Sequence, residues 1–147
     1  MNFMRSKLEL KSVWEDDDLF EVEVFASNGR FSGTANCYTL RSEIKLFGEM
    51  VDGFPKSLKD KVAFSSSDSN TMSYFSVQLE CIDRSGHVNA RIKIAHIIHY
   101  SNGKQENDVA EFDMSVEPAG VDRFSRSLKK LSECKIGEMS ATLIGNS

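Results

Sequence analysis

Phe20-Glu21-Val22-Glu23-Val24-Phe25-Ala26-Ser27-Asn28-Gly29-Arg30-Phe31-Ser32-Gly33-Thr34-Ala35-Asn36-Cys37 is the stretch that decides the fold. Phe20, Val22, Val24 and Ala26 alternate with mostly polar neighbours, Asn28-Gly29 interrupts, and Phe31, Gly33, Ala35 and Cys37 alternate again. Asn-Gly is the favoured centre of a two-residue type I′ hairpin turn, because both residues tolerate positive φ. Such a turn pairs Ala26 with Phe31, Val24 with Gly33, Val22 with Ala35 and Phe20 with Cys37. All of these then lie on one face, and a slip of a single residue would destroy the match. The stretch therefore predicts a sheet with one buried side. It specifies no reaction.

Outward from the hairpin, Leu8, Leu10 and Trp14 mark a preceding strand that ends in the acidic run Glu15 to Asp18. Downstream the period changes from 2 to 3.6: Leu40, Ile44, Phe47, Val51 and Phe54 recur at helical spacing, with Met50 beside the stripe. Thr39 reads as the N-cap, and Gly53 with Pro55 as the stop. Strand periodicity resumes at Val62 and Phe64, breaks in the serine-rich loop Ser65 to Ser73, and returns at Phe75, Val77, Leu79 and Cys81. After the turn Asp83-Arg84-Ser85-Gly86 comes the longest alternating run, Val88, Ala90, Ile92, Ile94, His96 and Ile98. A second Asn-Gly, Asn102-Gly103, precedes a strand through Ala110, Phe112, Met114 and Val116 that Pro118-Ala119-Gly120 breaks. A short helix follows, with Val121, Phe124, Leu128 and Leu131 on one side. Past Cys134, Met139, Ala141 and Leu143 read either as a late strand or as a frayed end.

Three strands, a helix, four strands and a helix define an α+β domain. The expectation is a mainly antiparallel sheet of about seven strands with two helices packed on one face. The 147 residues, 40% of them hydrophobic, form one domain with a sizeable core, residues 132–147 being a C-terminal extension. Two prolines and no low-complexity segment leave no long linker. A net charge of −4 gives no global attraction to nucleic acid or to an anionic membrane. Residues 1–7 contain no apolar signal core, and no window approaches the roughly 20 apolar residues that span a bilayer. Three cysteines, Cys37, Cys81 and Cys134, without CxxC spacing read as free thiols of a cytoplasmic protein.

Chemistry is sparse. His96 and His99 are three apart on a strand and so lie on opposite faces, while His87 and His99 are separated by roughly 40 Å at about 3.3 Å per residue. His96 reads as a half-buried strand residue and the others as surface. No GxSxG, HExxH, P-loop or GxGxxG occurs. Ser65-Ser66-Ser67-Asp68-Ser69-Asn70 lacks the glycine of an anion-binding loop and reads as a flexible connection. No catalytic residue, cofactor or metal site is assigned.

Six acids crowd nine positions: Glu15, Asp16, Asp17, Asp18, Glu21 and Glu23. Three readings compete. A divalent cation would need the tight glycine loop that is absent. A solvated edge would use the charges to discourage sheet-to-sheet aggregation. A negative strip would attract a basic partner and speed docking. On the third reading Asp16, Asp17, Asp18, Glu21 and Glu23 are the partner-binding residues.

Phe31-Ser32-Gly33 after the turn, the helical segment from Ile44 to Pro55 ending in Gly-Phe-Pro, and Val116-Glu117-Pro118-Ala119-Gly120-Val121-Asp122-Arg123-Phe124 carry a resemblance. From Leu8 to Leu131 the chain resembles small bacterial immunity proteins that accompany polymorphic, contact-dependent toxins of the wall-associated type, and related domains of unknown function. The resemblance implies a non-enzymatic, cytoplasmic protein that binds and neutralises a cognate toxin. It brings no catalytic motif. The alternative is a small-molecule or regulatory ligand-binding domain with its pocket between sheet and helices, and an enzyme stands third because acid–base sites need no motif.

Overall fold

The computed structural model describes residues 5–67 and 71–146; residues 1–4, Asp68, Ser69 and Asn70 of the serine cluster, and residue 147 lie outside the described residues. Its elements run β1 (Lys7–Glu15), β2 (Phe20–Ser27), β3 (Ser32–Thr39), α1 (Arg41–Met50), β4 (Lys61–Ser65), β5 (Tyr74–Cys81), β6 (Val88–His99), β7 (Gln105–Val116), α2 (Pro118–Leu131) and β8 (Ser140–Ile144). The α+β class and the antiparallel pairing agree with the sequence reading. The strands form two four-stranded sheets, ordered β3-β2-β1-β8 and β4-β5-β6-β7. Each helix carries the chain from an edge of one sheet to an edge of the other, α1 from β3 to β4 and α2 from β7 to β8.

The two sheets do not join edge to edge, and Gly33 shows why. A Cβ built there would lie 2.9 Å from the Cβ of Ala110 and 3.7 Å from that of Ile94. At this position β3 therefore passes over the side chains of β6 and β7, close enough to require a glycine.

The hairpin register is displaced by two residues from the expected one. Val24 pairs with Ala35, Val22 with Cys37 and Phe20 with Thr39. The turn centres on Gly29-Arg30, with the Asn28 amide donating to the Phe31 carbonyl at 3.1 Å. Asn28 Oδ1 accepts from the amides of Arg30 and Phe31, at 3.0 and 2.9 Å, so asparagine flanks the turn instead of occupying its centre. A two-residue displacement preserves the faces, and Phe20, Val22, Val24, Ala26, Ala35 and Cys37 are all buried. Phe31 is the exception: now next to the turn, it is 64% exposed instead of buried.

Helix α1 buries Ile44, Phe47 and Gly48, and Val51 and Phe54 continue the stripe beyond its last turn. Leu40, expected on that stripe, is instead the N-cap residue and is exposed, and the cap has no side-chain hydrogen bond. Thr39 is therefore not the cap. It is still the last residue of β3, paired with Phe20, and its hydroxyl is held one position too early to reach the helix amides.

Helix α2 takes Pro118 into its first turn, where a missing amide hydrogen costs nothing, and Lys129 and Lys130 into its last turn, where cations favour the helix dipole. The helices meet at Gly48, where a Cβ would lie 3.2 Å from both the Leu128 Cβ and the Ser125 carbonyl oxygen. Ser125 Oγ closes the contact by donating to the Gly48 carbonyl at 2.7 Å. Phe47 stacks on Phe64 at 4.3 Å between centroids and meets Phe124 edge-on at 5.5 Å, joining both helices to β4. One continuous core thus takes side chains from both sheets and both helices.

The C-terminal segment is a strand. Leu8 pairs with Leu143 and Leu10 with Ala141, and all four are buried, so β8 completes the first sheet. At the other end of the molecule, β6 outruns β5, whose first residue Tyr74 pairs with Ala95. Beyond that rung the β6–β7 hairpin has lost its sheet neighbour, and His96, expected to be half-buried, is exposed opposite Asp108.

Candidate functional site

The turn joining β1 to β2 is built by its own acids. Asp16 Oδ1 accepts from the amides of Asp18 at 2.9 Å and Leu19 at 2.7 Å, while the Asp16 amide donates to the Leu19 carbonyl at 3.0 Å. These bonds fix one carboxylate inside the turn. Asp17 and Asp18 are exposed and form no ion pair among the described residues.

Glu15 serves a different purpose. Its carboxylate takes two hydrogen bonds from Arg41, at 2.5 Å from Nε and 3.1 Å from Nη2. Arg41 Nη1 donates onward to the carbonyls of Ser132 at 3.1 Å and Cys134 at 2.8 Å, and the guanidinium lies 4.7 Å above the Phe20 ring. A planar fork of donors suits this junction of β1, α1 and the segment after α2. The hydrogen bond from Arg41, ahead of the opposing desolvation, holds the Glu15 carboxyl below its ordinary range, and Glu15 in turn raises Arg41. Glu15 is thus part of a clamp, and its charge is neutralised locally.

Two depressions flank the turn. One of about 250 Å³ is lined by residues 15–20 and by Leu40, Arg41 and Ser42 at the start of α1. The second, of about 390 Å³, is a groove lined by Leu19, Tyr38, Thr39, Leu40, Glu43, Met72 and the serines 65–67. Leu19, Leu40 and Met72 are large apolar side chains left exposed. Thr39 in the groove is 5% exposed, and its buried hydroxyl has no hydrogen-bond partner among the described residues. A hydroxyl left so typically costs about 1–3 kcal/mol.

The expected acidic strip is split in two. Asp16, Asp17 and Asp18 gather at the first depression. Glu21 and Glu23 point away from the core, as expected, but line neither depression. On the outward face of the first sheet, Glu21 stands between Trp14 and Tyr38, and Glu23 between Lys11 and Asn36. Sequence reasoning did not single out Leu19, Thr39, Leu40, Glu43 or Met72 as site residues. Leu19 did carry a signal, being an apolar residue placed directly after three aspartates.

The remaining chemistry is structural. Burial pushes the Cys37 thiol up to about 12, against a partial lowering by its hydrogen bond with Ser66, so it is un-ionised and inert at neutral pH. His87 Nδ1 lies 2.5 Å from Asp83 Oδ2, fixing the β5–β6 turn, and His99 bonds the Thr71 carbonyl. Among the described residues no three His, Cys, Asp or Glu side chains converge as metal ligands, and no helix is long and apolar enough to cross a membrane. Compared with known proteins, the chain matches no family model, no curated protein and no solved structure.

Proposed function

We propose that the chain is a non-enzymatic protein-binding domain, an immunity protein of the bacterial cytoplasm that sequesters a cognate toxin through its acidic end. The observation that carries this reading is the grouping of exposed Leu19, Leu40 and Met72 in one groove beside Asp16, Asp17 and Asp18. Protein interfaces are commonly built as an apolar centre inside a charged rim. Here the rim is negative, which selects a basic partner and accelerates its approach at low salt. The resemblance of Phe31-Ser32-Gly33, Ile44 to Pro55 and Val116 to Phe124 to immunity proteins points the same way. A small-molecule site between sheet and helices has less support, because Phe47, Phe64, Phe75 and Phe124 fill that space with contacting rings.

The test is association with the product of the neighbouring gene at two salt concentrations. Replacing Asp16, Asp17 and Asp18 together by Lys should slow association about tenfold or more at low salt, and the difference should shrink as ions screen the charges. Equal rates for the two proteins would refute the reading.

A further inference from the structure

The two sheets present four edge strands, and three of them are protected. β7 carries Glu106, Asp108, Glu111 and Asp113, and β4 has only five residues and opens on Lys61. β8 runs against α2, where a Gly120 Cβ would lie 3.3 Å from the Ile144 carbonyl oxygen. β3 has none of these devices: Ser32–Thr39 holds no charge, no proline and no break in its register with β2. The Phe31 carbonyl faces β2, because it accepts from the Asn28 amide there. Alternation therefore turns the backbone groups of Gly33, Ala35 and Cys37 to β2 and those of Ser32, Thr34 and Asn36 to the open side. Ser32, Thr34 and Asn36 are exposed, and nothing among the described residues bonds their open-side groups.

The space beside that edge has a floor. From Ser115 towards the tip of the β6–β7 hairpin, β7 meets the first sheet in strand order. Asn146, just past β8, donates its amide to the Ser115 carbonyl at 2.7 Å. Asn28, just past β2, donates Nδ2 to the Asp113 carbonyl at 3.2 Å, and Gly33 of β3 lies over Ala110. The next place in the series lies over Asp108 and His96, which pair across the hairpin and are both exposed. A depression of about 260 Å³ opens there, between Ser32 and Thr34 on one side and Ile94, His96, Asp108 and Ala110 on the other. The inner face of the second sheet thus extends one strand beyond the first sheet that covers it.

We propose that the open edge of β3 takes an extended, basic segment of a partner protein as a fifth strand of the first sheet, lying over the inner face of the β6–β7 hairpin. Strand addition of this kind draws affinity from main-chain hydrogen bonds and specificity from alternate side chains. The alternate side chains here turn inward, one towards Asp108 and its neighbour Glu106, another over Ile94 and Ala110. Asp108 forms no ion pair among the described residues, and no lysine or arginine of β6 or β7 shares its face. The segment is therefore basic at one position and apolar two residues away. A second copy of the chain does not fit. Its own β3 is already packed on its β5 and β6, and that layer would collide with the projecting hairpin. This surface is distinct from the acidic turn and does not depend on the toxin-binding reading.

The probe is an acetylated and amidated heptapeptide in which lysine, valine and lysine alternate with threonine, titrated into the isotopically labelled protein. Amide shifts should saturate with a midpoint on the order of 1 mM, and a peptide with glutamate in place of lysine should not bind. At about ten times the midpoint concentration, solvent exchange of the Ser32, Thr34 and Asn36 amides should slow about tenfold. Two further peptides are N-methylated, one at its odd and one at its even residues. Only one edge of an added strand faces β3, so one of them should lose binding and the other keep it within about threefold. Thr34→Pro removes an open-side N–H without touching the pairing with β2, and should abolish the protection of Ser32 and Asn36. Asp108→Lys, at an exposed position that leaves the edge intact, should weaken the peptide about tenfold.

Absence of saturable shifts, equal behaviour of the two N-methylated peptides, or an unchanged midpoint in Asp108→Lys would each overturn the proposal. So would a dimer in sedimentation that Thr34→Pro dissociates, since the edge would then belong to a second copy. The variant with Asp16, Asp17 and Asp18 replaced by Lys should bind the peptide within about threefold at physiological salt. Loss of the β3 shifts in that variant would move the peptide to the acidic turn and overturn the edge proposal. Normal peptide binding together with toxin association unchanged by the triple replacement would refute the reading of the acidic turn and leave the edge standing.

Discussion

Trp14 stands directly opposite Glu21 across β1 and β2, and its ring meets that of Tyr38 edge-on at 6.3 Å between centroids. Strict alternation from Leu8, Leu10 and Ser12 would have sent Trp14 into the core. The register shifts between Ser12 and Trp14, and the extra residue Val13 inverts the parity, so the indole lies outward at 43% exposure. The chain's single tryptophan therefore sits beside carboxylates on the open face of the first sheet.

That placement should be visible in fluorescence quenching. Glu21 and the nearby aspartates should admit caesium to Trp14 more readily than iodide, with the difference vanishing at high salt. Glu21→Lys should reverse the order. Equal quenching by both ions in the native protein would contradict the outward placement beside Glu21.

Phe47 is fully buried between Phe64 and Phe124, so Phe47→Ala should destabilise the protein by about 3–5 kcal/mol in denaturant unfolding. An unchanged midpoint would mean that the α1 stripe does not face the core.

Gly48 is where the two helices touch. Leucine there gains about 1 kcal/mol of helix propensity over glycine, yet its side chain must displace Leu128 and the Ser125 carbonyl. Gly48→Leu should therefore lose about 1–3 kcal/mol net, read as a lower denaturation midpoint. A gain in stability would show that the helices can separate freely.

His87 and Asp83 should couple stability to pH. The Asp83 hydrogen bond, helped by the charges of Asp83 and Glu117, raises the imidazole above its ordinary 6.5, and the same bond lowers the Asp83 carboxyl below its ordinary 3.8. The His87 contribution is complete below pH 6.5 and is lost as pH rises through the raised value. The Asp83 contribution is complete above pH 3.8 and is lost as pH falls through the lowered value. Both act fully only between the two ordinary values. An NMR titration of the His87 ring should give a midpoint above 6.5 that returns towards it in Asp83→Asn.

The periodicities carried far. Alternation from Phe20 to Cys37 and helical spacing at Ile44, Phe47, Phe124 and Leu128 name the buried faces correctly, because burial is a property of each element's own repeat. What failed depended on single residues near chain reversals. Asn28 used its side chain to flank the turn, so the register moved by two and Phe31 came out. Thr39 remained in β3, so Leu40 capped the helix.

The amino-acid order by itself thus determined the α+β class, the sheet faces, the helix stripes and the outward aim of Glu21 and Glu23, all set by local periodicity and turn chemistry. Only the tertiary structure decided that the strands form two sheets, that β8 closes the first, and that Leu19, Thr39, Leu40, Glu43 and Met72 share a groove. The physical reason is distance along the chain. Gly33 meets Ala110, and Thr39 comes to line one groove with Ser66, through packing between elements many residues apart, which no local repeat encodes.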